Sequence, residues 1–189
     1  EFGQSIQLTQ INIFFLTHNP SVSYSEIGLA KWSDFALSHY FTIANVRKKH
    51  NLLIGQKTAE TIKKELASAV APEDKSIQVF GRDVVNGLPT EKEITAKFVY
   101  ETIQELLSTI VDSIRIVLEK TPPEISADII DNGIFVTGGS ARIKGLDKLF
   151  STETEQLNIN ICEDPGNTVA IGLGRIIEDP KLDYLAQTM

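Results

Sequence analysis

The chain has 189 residues, 42% hydrophobic and 23% charged, with a net charge of −7. That length suits one large domain or two subdomains sharing a seam, and the acidic balance argues against broad electrostatic capture of nucleic acid. Cys162 is the only cysteine, so no intramolecular disulfide can form and a reducing cytoplasm is the expected setting. No stretch reaches the roughly 18 apolar residues of a membrane span, and the N-terminus lacks the basic start and cleavage site of a signal peptide.

In chain order, "SIQLTQINIFFL" alternates and then runs apolar, which predicts a strand. "THNPSVSYSEIG" is turn-like, and "AKWSDFALSHYF" reads as a short helix capped by Ser33, in a segment rich in aromatics (Trp32, Phe35, Tyr40, Phe41) but without a motif. "FTIANVRKKHNLL" predicts a helix ending near Asn51. "GQKTAETIKKELASAV" predicts a second one after a glycine break, with Thr58 as N-cap. In "KSIQVFGRDVVNGLPTEKEITA", Asn86-Gly87 supplies the positive φ that joins two strands as a hairpin.

"KFVYETIQELLSTIVDSIRIVLEK" is the clearest helix, with Val99, Ile103, Leu106, Ile110, Ile114 and Val117 on one apolar face until Pro122 and Pro123 stop it. "ISADIIDNG" predicts a short helix or turn closing on Gly133, "IFVT" a strand, "IKGLDKLF" a helix and "LNINICED" a further strand. "GNTVAIGLGRIIED" predicts a last helix, capped by Asn167 or Thr168. Its Gly172 and Gly174 lower helix stability and so imply close packing against a neighbour. The order of elements implies α/β layering with a small insertion.

Several chemistries find no footing. There is no G-x-x-x-x-G-K-[ST] or G-x-G-x-x-G loop, no G-x-S-x-G elbow, and three scattered histidines with one cysteine make no zinc set. Two constellations remain. Gly138-Gly139 follows a strand, where the main chain can approach a flat ligand without Cβ interference, although a plain strand-to-helix turn accounts for the pair equally well. Glu60 and Lys63, three apart on one helix, are either a solvent-facing ion pair or a clamp for sugar hydroxyls, and spacing alone does not choose.

Taken together, "NLLIGQKTAETIKKELASA", "VFGRDVVNGLP", "LEKTPPEISADIIDNGIFVTGGSARIKGLDKLF" and "CEDPGNTVAIGLGRIIED" resemble the MreB family of bacterial actin-like proteins, collinearly over residues 46 to 179. The resemblance implies the second, C-terminal domain of an actin-like ATPase fold with a small α+β subdomain inserted. Residues 46–57 and 121–189 would form the inner subdomain, 58–120 the outer one with the hairpin, and 1–45 are unassigned. It implies ATP or ADP as ligand, with Gly138, Gly139, Ser140 and Ala141 beneath the adenine, Ser140 standing where the family usually has a third glycine. Glu60, Thr61, Ile62 and Lys63 would then contact the nucleoside.

The family's activity is ATP-driven assembly into filaments that organise cell shape and wall synthesis, with Mg²⁺ at phosphate loops of the D-x-G-T-A-N and D-x-G-G-G-T types. Neither loop occurs in residues 1 to 45. The expectation is therefore a truncated or frameshifted form, inactive as an ATPase alone, with no metal ligands of its own. Self-association is expected, and direct membrane contact or nucleic-acid binding is not. A small-molecule kinase fragment of the actin superfamily and a nucleotide-free interaction module are the alternatives.

Overall fold

The computed structural model describes residues 12–15 and 37–182. The elements are β1 (Asn12–Phe15), α1 (Leu37–His50), β2 (Leu52–Leu53), α2 (Gln56–Leu66), β3 (Ser76–Asp83), β4 (Pro89–Thr95) and α3 (Ala96–Glu119). They continue as α4 (Pro123–Asn132), β5 (Ile134–Thr137), α5 (Leu146–Glu153), β6 (Ile159–Ile161) and α6 (Thr168–Glu178). They build two three-stranded sheets, ordered β1-β5-β6 and β2-β3-β4.

In the first sheet β1 is antiparallel to β5, from Asn12 opposite Thr137 to Phe15 opposite Ile134, and β6 is parallel to β5. The predicted N-terminal strand thus exists at Asn12–Phe15, while the turn-like segment after it, Trp32, Ser33 and Phe35 lie outside the described residues. Leu37–Phe41 does not belong to a separate short helix. It runs unbroken into α1. In the second sheet β3 and β4 form the predicted hairpin, from Ser76 opposite Thr95 to Arg82 opposite Pro89. β2, within the stretch assigned above to the inner subdomain, pairs with β3 at Arg82 and Asp83.

Local chemistry sets the helix ends, in two places differently from expectation. α2 begins at Gln56 with Gly55 as N-cap, so Thr58 is an interior residue and not the cap. α5 starts only at Leu146, because Gly145 takes a left-handed conformation at its N-cap. Elsewhere Thr95 caps α3 by accepting from the Phe98 amide at 3.2 Å. Pro123 opens α4, where its missing N–H costs nothing, and Gly133 closes it at φ 77°.

One hydrophobic core runs through both sheets. α3 is its axis, with Val99, Ile103, Ile110 and Ile114 buried as expected. Phe98, Thr102, Leu107 and Val111 are buried too, while Leu106 and Val117 are only half-buried. The buried arc is wider than one stripe because α1 and α2 pack on this helix besides the sheet side. α6 is the opposite case. None of its residues is buried, and a Cβ placed on Gly172 or Gly174 meets nothing within 4 Å. Among the described residues nothing packs closely on those glycines.

Candidate functional site

β5 carries the glycine turn. Ile134, Val136 and Thr137 are buried, so the strand's end is fixed in the core. Gly138 has φ 94° and ψ 156°, a conformation essentially reserved for glycine, and Gly139–Arg142 continue as a 3₁₀ turn. The Gly138 amide donates to the Pro165 carbonyl at 2.6 Å, and the Thr137 hydroxyl donates to the same oxygen at 2.8 Å. The carbonyl of Gly138 accepts from the Ala141 amide at 3.0 Å, which closes the bend.

The side chains at the bend point inward. Ser140 and Ala141 are buried, whereas Gly138 and Gly139 are half-exposed. Gly138 and Gly139 thus carry the half-exposed part of the bend without side chains, up to the exposed side chain of Arg142. Ser140, in place of the family's third glycine, puts no group in the way, and its hydroxyl is buried without a hydrogen-bond partner among the described residues.

Behind the turn, Arg142 pairs with Asp164 at 2.6 Å, the Asn167 amide donates to Asp164 at 2.8 Å, and the Thr168 hydroxyl donates to the Asp164 carbonyl at 2.7 Å. The Asn167 amide, and after it the Arg142 guanidinium, hold the Asp164 carboxyl below its ordinary pKa. Asn167 sits at the N-cap of α6 but its side chain makes no capping bond to the helix. It ties the preceding turn instead. The "DPGN" stretch is recognisable in sequence as a turn, but nothing there shows that the Pro165 carbonyl would receive two donors from β5 and the bend.

α2 supplies the second set. Ala59, Ile62, Lys63 and Leu66 are buried at helical spacing and dock the helix. Glu60 forms an ion pair with Lys64 at 2.7 Å, four residues on, and its charge also acts on Lys63. Thr61 is exposed and its hydroxyl donates to the Lys57 carbonyl at 3.1 Å, and Ile62 is wholly in the core. Lys63 is only 8% exposed. Burial lowers its pKa to about 8, partly offset by Glu60 and reinforced by Lys64.

The two sets are joined. Ser68, two residues past α2, forms a parallel bridge with Lys144, whose carbonyl accepts from the Ala69 amide at 2.8 Å. The Lys144 ammonium pairs with Glu73. Lys64 from α2 and Arg142 from the glycine turn line one small polar depression of about 110 Å³. Among the described residues no group of three or more His, Cys, Asp or Glu is placed to hold a metal ion, and no helix is long and apolar enough to cross a membrane.

This arrangement of two sheets on one core has an actin-like fold. It superposes on MreB 5 of Spiroplasma citri bound to AMPPNP with a TM-score of 0.72 and 35% identity, over 80% of this chain and 46% of that one. The ADP-bound MreB5 of the same organism gives 0.69 and 38% identity, over 74% of this chain and 43% of that one. The double helical filament of MamK, at 0.63 and 21% identity over 76% of this chain and 44% of that one, shares the fold.

The family model described as MreB/Mbl protein matches residues 39–184, and the chain belongs to that family. The match reaches further at both ends than the motifs quoted above, and α1 lies mostly within it. Against the cell shape-determining protein Mbl of Bacillus subtilis (strain 168), the chain is 41% identical over 136 residues, 71% of this chain and 40% of the relative. Against MreB of Escherichia coli (strain K12) it is 37% identical over 134 residues, 70% of this chain and 38% of the relative. The chain thus spans about two fifths of the length of these relatives.

Proposed function

We propose that this chain is the part of a cytoplasmic, actin-like, cell-shape-determining protein that holds the nucleoside of ATP or ADP, and that copies of it associate into filaments. In this reading adenine rests on the backbone of Gly138 and Gly139, with Ser140 and Ala141 supporting the bend from within. Glu60 accepts from the ribose hydroxyls, Lys63 donates from the buried flank of α2, and Thr61 and Ile62 set that helix in place. Residues 46–57 with 121–189 act as the inner subdomain and 58–120 as the outer one. Proteins of cell-shape control and wall synthesis are the expected partners.

The carrying observation is the turn in which Ser140 and Ala141 are buried while Gly138 and Gly139 keep partial exposure. Relatives at 35% and 38% identity hold AMPPNP and ADP, which supports the same ligand class here. Mg²⁺ travels with the phosphates in the family, and the residues named here serve the nucleoside.

Titration of the purified chain with ATP, ADP and adenosine, with and without Mg²⁺, tests this. The three ligands are expected to bind within a few-fold of one another, with little response to Mg²⁺. Gly139→Val is expected to weaken all three by about tenfold or more, a loss of at least ~1.4 kcal/mol. Tight binding that depends on Mg²⁺, or a Gly139→Val variant that binds like wild type, contradicts the assignment. The exposed face of α6 favours a second reading, an interaction module that needs no nucleotide, and unchanged partner binding in the absence of any nucleotide affinity would select it.

A further inference from the structure

The nucleotide reading makes no use of β4, the last strand in the order β2-β3-β4, which has β3 on one side and no described strand on the other. The Asp83 amide donates to the Leu88 carbonyl at 2.9 Å, and the Ala96 amide donates to the Lys75 carbonyl at 2.8 Å. With Val79 opposite Lys92 and Ile77 opposite Ile94, these bonds fix which residues of the ladder face each other. Thr90, Lys92 and Ile94 turn their backbone groups toward β3, whereas Glu91 and Glu93 direct their amides and carbonyls off the edge. Pro89, which has no N–H, ends the row. Glu91, Lys92 and Glu93 are all exposed, so among the described residues the middle of the row is uncovered.

The side chains along this edge form an ordered charge pattern. Glu91 and Glu93 share the outer face of the sheet with Phe80 and Gln78, which lie directly opposite them in β3. Phe80 is 71% exposed. The Ser76 hydroxyl donates to the Glu93 carboxylate at 2.5 Å and holds it in place. Lys92 is on the other face, the one where Ile94 is buried. The strand therefore presents acid, base and acid in turn.

Charges and a proline commonly guard a sheet edge against unwanted pairing. Here they also select. Antiparallel pairing with the same edge of a second copy sets Glu91 against Glu93 and Lys92 against Lys92, and like charges directly opposite destabilise a ladder. A strand of the reversed pattern meets the contrary case. A Lys or Arg opposite Glu91 pairs with that carboxylate and can lean over the Phe80 ring beyond it, which adds a cation–π contact. An acid opposite Lys92 completes the match, and an apolar residue beyond it falls beside Ile94. Main-chain bonds then give affinity and the alternation of side chains gives specificity, as when sheet edges take up extended peptides.

We propose that β4 is a docking edge for an extended basic-acidic-basic segment of another protein, which joins the sheet as a fourth strand with Lys or Arg against Glu91 and Glu93 and Asp or Glu against Lys92. The test uses the full chain with the end-blocked peptide Thr-Val-Arg-Glu-Arg-Val-Thr, and Thr-Val-Glu-Lys-Glu-Val-Thr as its charge-reversed control. In fluorescence anisotropy the first is expected to bind about tenfold or more tighter than the second. Amide hydrogen exchange at Glu91 and Glu93 is expected to slow when the first peptide is added. Glu91→Lys, Lys92→Glu and Glu93→Lys together are expected to reverse the preference, and Phe80→Ser to weaken the first peptide by about two- to fivefold.

Equal binding of both peptides, binding of neither, or an unchanged preference in the folded triple variant overturns the proposal. So does binding that leaves both amides exchanging freely, because the charges are then met without a strand. Protection that grows with protein concentration in the absence of peptide assigns the edge to a second copy and overturns it as well. Peptide preference and exchange are read on the wild type, so a variant that fails to fold does not shield the proposal. None of these results depends on nucleotide affinity, and the nucleoside assignment stands or falls separately.

Discussion

α3 and α6 are both amphipathic helices, and they meet opposite fates. Nine residues of α3 are buried and none of α6, although Val169, Leu173 and Ile177 recur every four residues on the latter as apolar residues do on α3. Periodicity declares that a face is suited to cover. It does not say what covers it, and only α3 has α1, α2 and a sheet arranged around it.

The contrast can be broken most forcefully by alanine at one apolar position of each helix. Ile110→Ala in α3 is expected to cost about 2–5 kcal/mol in urea unfolding, through lost transfer energy and the cavity left behind. Ile177→Ala in α6, at a position 83% exposed, should stay within about 0.5 kcal/mol of wild type. Equal losses would mean that α6 is covered in solution.

Lys63 sharpens the contrast from the polar side, because α2 buries a charge on the face it docks. Lys63→Met is expected to remove a rise in stability with pH that the wild type shows in a defined window. Below about pH 8 the folded chain bears the full penalty of a buried ammonium. From there to about 10.5 the unfolded chain keeps a proton that the folded one has released, so this group's contribution to stability rises with pH. Unfolding curves of the two proteins that stay parallel from pH 8 to 10.5 would show that Lys63 titrates normally.

Two glycine substitutions extend the comparison at smaller scale. Gly133→Ala at the end of α4 forces a side chain into φ 77° and against Asn158, and should lower stability by about 1–3 kcal/mol. Gly172→Ala in α6 meets open space and should raise it by about 0.5–1 kcal/mol in thermal or urea melts. A loss at Gly172 would instead reveal a close neighbour.

These positions also show what the sequence made legible. The hairpin, α3, α4 and β5 could be read because Asn86-Gly87, a long apolar stripe, Pro123 and Gly133 each act within a few residues. Gly172 and Gly174 did not reveal a neighbour, because a glycine in a helix signals permission for contact and not contact itself. The wide buried arc of α3 was missed since Leu107 and Val111 are recruited by partners distant in sequence. At the candidate site, the bend at Gly138 was visible, but the inward turn of Ser140 was not. The spacing of Glu60 and Lys63 was visible too, but not that Lys63 is buried or that Glu60 also pairs with exposed Lys64.

The bridge from Ser68 to Lys144 has a mechanical consequence. It rivets the exit of α2 to the stretch just after the glycine bend, with the Glu73 carboxylate as a second fastener on the same lysine. The exit of α2 and the residues after the bend are thereby held in register with each other, so a substitution that shifts one is expected to be felt at the other.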